Sequence, residues 1–329
     1  MHILVTGANG FIGREMCRGL QAMGHDVRRV VRDTAGSADA FSMSSTDKIS
    51  EAVRGIECVI HLAQQASVPP GLNRGEVAVS REENVQLTRR LALMAHQAGV
   101  RRFVFVSSIK ACSAASFGGL HAGRAPSLST DLYATLKKES EQALREVGKG
   151  SGLEVVIVRP PLVYGEGVKG NFLRLLIAVE QGLPLPFAGL TNKRSILYLP
   201  NLVSALAACA LSPEACGETF DVSDDQSVTL PQLVGELAMA MGRPAKLIYC
   251  PECVLRLAGK VLGRQSQVNG MLENVEIDSS KIRGLLTWRP SFTVRQGIQE
   301  TVRWYLDAGK LCGDSSVNEE VRPSCGDGL

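Results

Sequence analysis

The chain has 329 residues, of which 45% are hydrophobic and 21% charged, and 36 Lys and Arg against 33 Asp and Glu leave a formal charge of +3. So small a charge, spread without basic blocks, and an aromatic content of 5% exclude the electrostatic footprint and stacking platforms of a nucleic-acid binder. The longest apolar run, 202–211, includes Ser204 and falls short of the roughly 18 residues that span a bilayer, so no membrane insertion is expected.

An apolar strand pattern begins at Ile3-Leu4-Val5, which leaves no room for the charged start and long apolar core of an export signal. Nine scattered cysteines, an odd number, read as reduced thiols, and a cytoplasmic protein is expected. Cys250 and Cys253 form one isolated pair with no second pair and no nearby His, so no metal site is predicted.

Strands are predicted over 2–6, 26–31, 58–62, 102–107 and 154–159, with helices over 11–23, 47–53, 81–98 and 132–147 between them. The strands are rich in Val, Ile and Phe with little alternation, the pattern of strands covered by helices on both faces. With right-handed crossovers such units wind into a doubly wound parallel α/β sheet. After Pro160-Pro161 the texture changes. Loops rich in Gly and Pro at 165–170 and 182–189 flank a helix at 172–181, and a late strand at 219–222 is placed to rejoin the sheet. Helices follow at 230–241, 252–262, 278–286 and 293–306, and 307–329 is expected to be a disordered tail.

Between the first strand and the first helix stands Thr6-Gly7-Ala8-Asn9-Gly10-Phe11-Ile12-Gly13. Glycines at this spacing permit a tight turn, close backbone approach to a pyrophosphate and close helix-on-strand packing, and the helix N-terminus offers amide donors to the phosphates. A dinucleotide is the expected ligand. An NAD site ends its second strand on an acid that accepts from the adenosine ribose. Here Val31 stands in that place, with Arg32 and Asp33 after it and Arg14 just past the glycines. Two guanidiniums suit a 2′-phosphate, which favours NADP over NAD, while Asp33 keeps NAD open.

Tyr133 and Lys137 share a helix face at i, i+4. A phenol with its ordinary pKa of about 10 needs a neighbouring cation to exchange protons near neutrality, and Lys137 can supply it. Ser107-Ser108 lies at the carboxyl end of a strand, where ligands bind in open α/β sheets, and Ser108 can hold a reacting oxygen.

With these motifs assembled, the chain resembles the extended short-chain dehydrogenases/reductases of the nucleotide-sugar epimerase/dehydratase family. The resemblance rests on the glycine loop, His61-Leu62-Ala63, Asn84, Phe103-Val104-Phe105-Val106-Ser107-Ser108, Tyr133 with Lys137, Arg159-Pro160-Pro161-Leu162-Val163-Tyr164-Gly165 and Lys193-Arg194-Ser195-Ile196-Leu197-Tyr198. They run in family order from residue 6 to about 202. It implies a Rossmann dinucleotide domain over 1–165, with about 190–225 returning to it. A smaller, mainly helical C-terminal substrate domain over 166–189 and 226–306 would complete the chain. It further implies that Tyr133 moves the sugar hydroxyl proton, Lys137 binds the nicotinamide ribose, and Ser108 orients the sugar oxygen. Gly7, Asn9, Gly10, Phe11, Ile12, Gly13, Leu62, Ala63, Asn84, Ser107 and Pro160 would line the cofactor. Arg194 and Asn171 would hold the diphosphate of a nucleotide-sugar substrate, and the helix pair at 81–98 and 132–147, with Leu87, Leu91 and Met94, would form a homodimer interface.

Departures from the family pattern narrow the reaction. Leu136 precedes the lysine in place of Ser or Thr. The register of a second diphosphate arginine holds Val268, with Arg264 nearby as its substitute. Ile109 and Lys110 stand where dehydratases carry an acidic pair, so 4,6-dehydration is not expected. The resemblance therefore leaves a C4 epimerase of a UDP-hexose or UDP-N-acetylhexosamine, serving surface-polysaccharide synthesis, beside an NADPH-dependent 4-keto-sugar nucleotide reductase. A non-catalytic dinucleotide-sensing regulator is the remaining reading, and the Tyr133–Lys137 pair argues against it.

Overall fold

The computed structural model of the chain describes residues 1–31, 40–42, 46–63, 74–112, 128–263 and 265–313. Its first half runs β1 (His2–Thr6), α1 (Phe11–Ala22), β2 (Asp26–Val31), β3 (Ala40–Ser42), α2 (Thr46–Val53), β4 (Cys58–His61), α3 (Arg74–Gln97), β5 (Arg102–Val106), α4 (Leu128–Ser151) and β6 (Glu154–Arg159). The second half adds β7 (Leu162–Tyr164), α5 (Gly170–Glu180), β8 (Lys193–Arg194), β9 (Ile196–Tyr198), α6 (Leu199–Leu211), β10 (Thr219–Asp221) and β11 (Val228–Thr229). The helices α7 (Leu230–Ala240), α8 (Glu252–Val261), α9 (Gln265–Leu272), α10 (Ser280–Leu286) and α11 (Val294–Gly313) follow.

Seven strands form one sheet in the order β10-β6-β5-β4-β1-β2-β3, and every pairing in it is parallel. Strand order reverses between β1 and β4, which opens a crevice at their carboxyl ends. Period-two alternation divides the side chains between two apolar layers. Ile3, Val5, Val104 and Val106 face the layer containing α1 and α6, whereas Leu4, Phe103 and Phe105 face the layer of α2, α3 and α4. A third apolar cluster packs Tyr164, Phe172 and Leu176 against Val234, Leu237 and Ile298 in the helical C-terminal part.

The structure extends and corrects several sequence expectations. Helix α6, read only as an apolar run, lies buried beside the sheet. Helix α11 runs on to Gly313, so residues 307–313, expected in a disordered tail, are helical, and 314–329 lie outside the described residues. Leu91 is buried against the sheet of its own subunit, while Leu87 and Met94 pack against the same cluster and stay half-buried. Among the described residues no helix is long and apolar enough to cross a membrane.

One buried charge fastens α6 to the sheet. Arg102, at the amino end of β5 and 1% exposed, donates through Nε and Nη2 to Glu154 at 2.8 and 2.6 Å. Its Nη1 donates to the carbonyls of Cys209, Ala210 and Ser212 at 3.1, 3.1 and 2.6 Å. These are the orphan acceptors at the end of α6, so one guanidinium caps a helix and neutralises a carboxylate together. Arg102→Leu should leave all of them without this donor and cost about 3 kcal/mol, read as a lower urea midpoint at an unchanged m-value. A midpoint equal to wild type would show that water replaces the guanidinium without loss.

Candidate active site

The glycine loop turns at the carboxyl end of β1. Gly7 adopts φ +71°, a left-handed value that suits glycine, and donates its N–H to the Val30 carbonyl at 2.9 Å. A Cβ on Gly13 would lie 2.1 Å from the Gly7 oxygen and 2.8 Å from the Ala8 Cα, so no side chain fits where α1 crosses the loop. A Cβ on Gly7 would come within 3.1 Å of the Ala63 nitrogen. Helix α1 carries no acid in its first turn and no side-chain cap on Gly10. Its first amides are therefore free of an intrahelical or capping partner, and with the cradle kept clear of side chains the site fits a pyrophosphate. Phe11 and Ile12 are half-buried, with their side chains packed against the core.

Two cations gather on Asn9. Arg14 Nε donates to its carbonyl at 3.0 Å, and Arg29 Nη2 donates to its Oδ1 at 2.7 Å. Sequence reasoning missed Arg29, although alternation along β2 puts it on the same face as Val31, toward α1. Arg32 and Asp33 lie outside the described residues.

Behind the loop a buried chain of hydrogen bonds fixes the tautomer of His61. Thr6 Oγ1 accepts from the N–H groups of Leu62 and Ala63, both at 3.2 Å, which occupies its lone pairs. Its own proton must then go to His61 Nδ1, 2.7 Å away. His61 accordingly carries its proton on Nε2 and donates to Thr88 Oγ1 at 3.2 Å, and Thr88 donates to the Asn84 carbonyl at 3.0 Å. Burial first, and the Lys137 cation second, push the His61 pKa down to about 3. Asn84, the residue matched to the family motif, is thereby joined through its backbone to the strand that opens the glycine loop.

At the end of β5 two adjacent serines point opposite ways, as strand alternation requires. Ser107 is buried and its Oγ donates to Glu141 Oε1 at 2.6 Å, so its side chain is turned into the protein and not toward a cofactor. Ser108 is half-buried and accepts from the Lys110 N–H at 3.3 Å, and its hydroxyl lowers the Tyr133 phenol against burial. Lys137, 5% exposed, donates Nζ to the Val106 carbonyl at 2.8 Å and stands 5.9 Å from the centre of the Tyr133 ring. Burial pulls Lys137 down to about 7 against the attraction of Glu141. Burial is the larger effect on the Tyr133 phenol, which is raised. The Pro160 carbonyl accepts from the Ile109 N–H at 3.0 Å, tying the serine turn to the end of β6.

The residues expected to meet a diphosphate are less uniform. Asn171 is exposed in the first turn of α5, beside Gly170 at φ +66°. Arg194 spends Nη2 on the carbonyls of Gly270, Met271 and Glu273, at 2.6, 3.1 and 3.4 Å, while its Nε is buried with no hydrogen-bond partner. Burial holds its pKa below the usual arginine value. Arg264 lies outside the described residues. Among the described residues Cys250 and Cys253 are free thiols and no cluster of His, Cys, Asp and Glu could hold a metal.

Residues 3–223 match the model of the NAD dependent epimerase/dehydratase family. The chain is 32% identical over 317 residues to a UDP-glucose 4-epimerase of Vibrio cholerae, covering 93% of this chain and 96% of that one. Among solved structures, UDP-N-acetylglucosamine 4-epimerase from Bacillus cereus superposes with a TM-score of 0.73 at 18% identity, over 92% of this chain and 98% of its own. MoeE5 in complex with UDP-glucose and NAD gives 0.72 at 22% identity, over 94% and 99%.

The His61 relay has a measurable consequence. The folded value of about 3 lies below the ordinary 6.5, so its stabilisation is complete above pH 6.5 and is lost as pH falls toward 3. Between about pH 7 and about pH 5 the wild type should lose about 2 kcal/mol more unfolding free energy than His61→Gln, measured by urea denaturation. Parallel losses in the two proteins would show that His61 is not the titrating group.

Proposed function

The chain belongs to the NAD dependent epimerase/dehydratase family, as an extended short-chain dehydrogenase/reductase, and from that premise we propose that it epimerises C4 of a UDP-hexose or UDP-N-acetylhexosamine. The observation that carries the reading is the Tyr133 ring, 5.9 Å from the buried Lys137 ammonium, at the end of β5 where Ser108 stands. In this reading Ser108 holds the C4 oxygen, and Tyr133, as phenolate, takes the C4 hydroxyl proton and later returns it to the 4-keto oxygen. Lys137 stabilises the phenolate and binds the nicotinamide ribose. NAD, when bound, supplies the hydride acceptor at the nicotinamide. The amides of Phe11, Ile12 and Gly13 would hold its pyrophosphate, with Gly7 and Gly10 keeping the cradle clear and Leu62, Ala63, Asn84 and Pro160 around it. Asn171, the buried Nε of Arg194 and Arg264 take the UDP diphosphate, because a guanidinium and a helix start are the groups that recognise one. We place the product in sugar supply for surface polysaccharide, in a cytoplasm that suits the free thiols of the core.

A second reading, an NADPH-dependent 4-keto-sugar nucleotide reductase, is favoured by one observation. Arg14 and Arg29 converge on Asn9 at the edge of the cofactor cradle, an arrangement that suits a 2′-phosphate.

Denaturing the purified protein and identifying the released dinucleotide separates the two. Retained NAD, with interconversion of UDP-glucose and UDP-galactose or of their N-acetyl forms, is the expected result. An empty site that binds NADPH well ahead of NADH would favour the reductase. In either case Tyr133→Phe should keep dinucleotide affinity and lower kcat by about 10²–10⁴-fold, and near-normal turnover would sink the assignment of Tyr133.

A further inference from the structure

Glu141 follows Tyr133 and Lys137 along one face of α4, one further turn on, and it is 1% exposed. A carboxylate so deeply buried is costly unless it is fully paired. Arg159, at the carboxyl end of β6, grips it with Nε at 2.8 Å and Nη2 at 2.6 Å, in the two-pronged geometry of a strong charge-assisted pair. Ser107 donates to it from the end of β5 at 2.6 Å, and Arg145 from the next turn of α4 at 3.1 Å. Burial pushes the Glu141 carboxyl up, but the hydrogen bonds from Arg159 and Ser107 and the charges of Arg159 and Arg145 outweigh it, so it stays ionised.

Its partners are the three elements that carry the candidate catalytic groups. Ser107 precedes Ser108, Arg159 precedes Pro160, and Lys137 stands one helical turn away. We propose that Glu141 is a positioning residue for the Tyr133–Lys137 pair: it clamps the ends of β5 and β6 to α4 and sets a fixed negative charge beside the Lys137 ammonium. The proposal rests on the reading of Tyr133 and Lys137 as the proton-handling pair.

The charges facing this spot can be named element by element. Arg145 comes from α4, Arg159 from β6, and Asp221 from β10 with its Oδ1 3.8 Å from Arg159 Nη1. Cys112, after the serine turn, accepts from Arg159 Nη1 at 3.1 Å, and neutral His61 comes from β4. Without Glu141, Lys137, Arg145 and Arg159 would lose the carboxylate that lies among them. Lys137, held at about 7 with Glu141's help, would then shed its proton at still lower pH.

The test compares wild type, Glu141→Gln, Glu141→Asp and Arg145→Gln. Two readouts are followed: the pH profile of kcat/KM, and the phenolate absorbance of Tyr133 with NAD bound, isolated by difference against Tyr133→Phe. Glu141→Gln should move the alkaline limb of the profile down by on the order of one pH unit and the phenolate midpoint up. Glu141→Asp should largely restore both, because it restores the charge. Arg145→Gln removes a half-exposed competing cation and should move the alkaline limb up, so it keeps the proposal testable should Glu141→Gln fail to fold. A Glu141→Gln protein that melts lower but titrates as wild type, or an Arg145→Gln protein with an unmoved limb, would overturn it. Absence of turnover in wild type would instead count against the epimerase reading, since the phenolate titration needs no substrate.

Discussion

The close approach of α1 to the glycine loop is the contact on which the rest of the site depends. Because nothing larger than hydrogen fits on Gly13, backbone meets backbone there. That fixes the direction in which the first amides of α1 point. The same turn presses Gly7 against Ala63, so the ends of β1 and β4 are set relative to each other where strand order reverses. Thr6 then reads this spacing, since its one hydroxyl oxygen takes both amides of the Leu62-Ala63 turn. A side chain inserted at any of these points would have to move a strand end, a helix and a buried histidine together.

The sheet carries buried charge at both ends and uses it differently. At the amino end of β5, Arg102 is spent on carbonyls and a carboxylate and serves only to hold α6. At the carboxyl end, Lys137 and Glu141 are buried where water screens them poorly, and the half-buried Arg159 reaches in to pair with Glu141. The first arrangement saturates its guanidinium. The second leaves an ammonium that donates to the Val106 carbonyl and keeps a face toward Tyr133, which is what proton handling requires.

Legibility in the sequence followed the length and apolarity of each element. The five strands with long Val- and Ile-rich runs stood out because both their faces are covered, whereas β3, β7, β8, β9 and β11 are two or three residues long and too short to show a period. Helix α6 is apolar around nearly its whole circumference, so it has no stripe to reveal it as a helix. The glycine loop and the Tyr133–Lys137 spacing were visible because their chemistry demands fixed residue types. Glu141 was not, since an acid at i+4 from a lysine looks like any solvated helix pair until Arg159 and Ser107 arrive from elsewhere in the chain. Ser107 and Ser108 look alike in the sequence, and only the pleat separates their duties. Arg32, Asp33 and Arg264 lie outside the described residues, so the contacts expected of them have no structural counterpart here.

The position of β10 bears on how the chain emerges from the ribosome. Its partner β6 ends at Arg159, yet the strand that covers that edge begins only at Thr219, and the carbonyls that satisfy Arg102 come from residues 209–212. At roughly 5–20 residues per second, a nascent chain would spend about three to twelve seconds with an open parallel edge and an uncapped buried guanidinium. For that interval the first six strands form a template that another strand can join. Helix α6 and β10 follow one another closely, so the acceptors of Arg102 and the strand that covers the β6 edge arrive together late in synthesis.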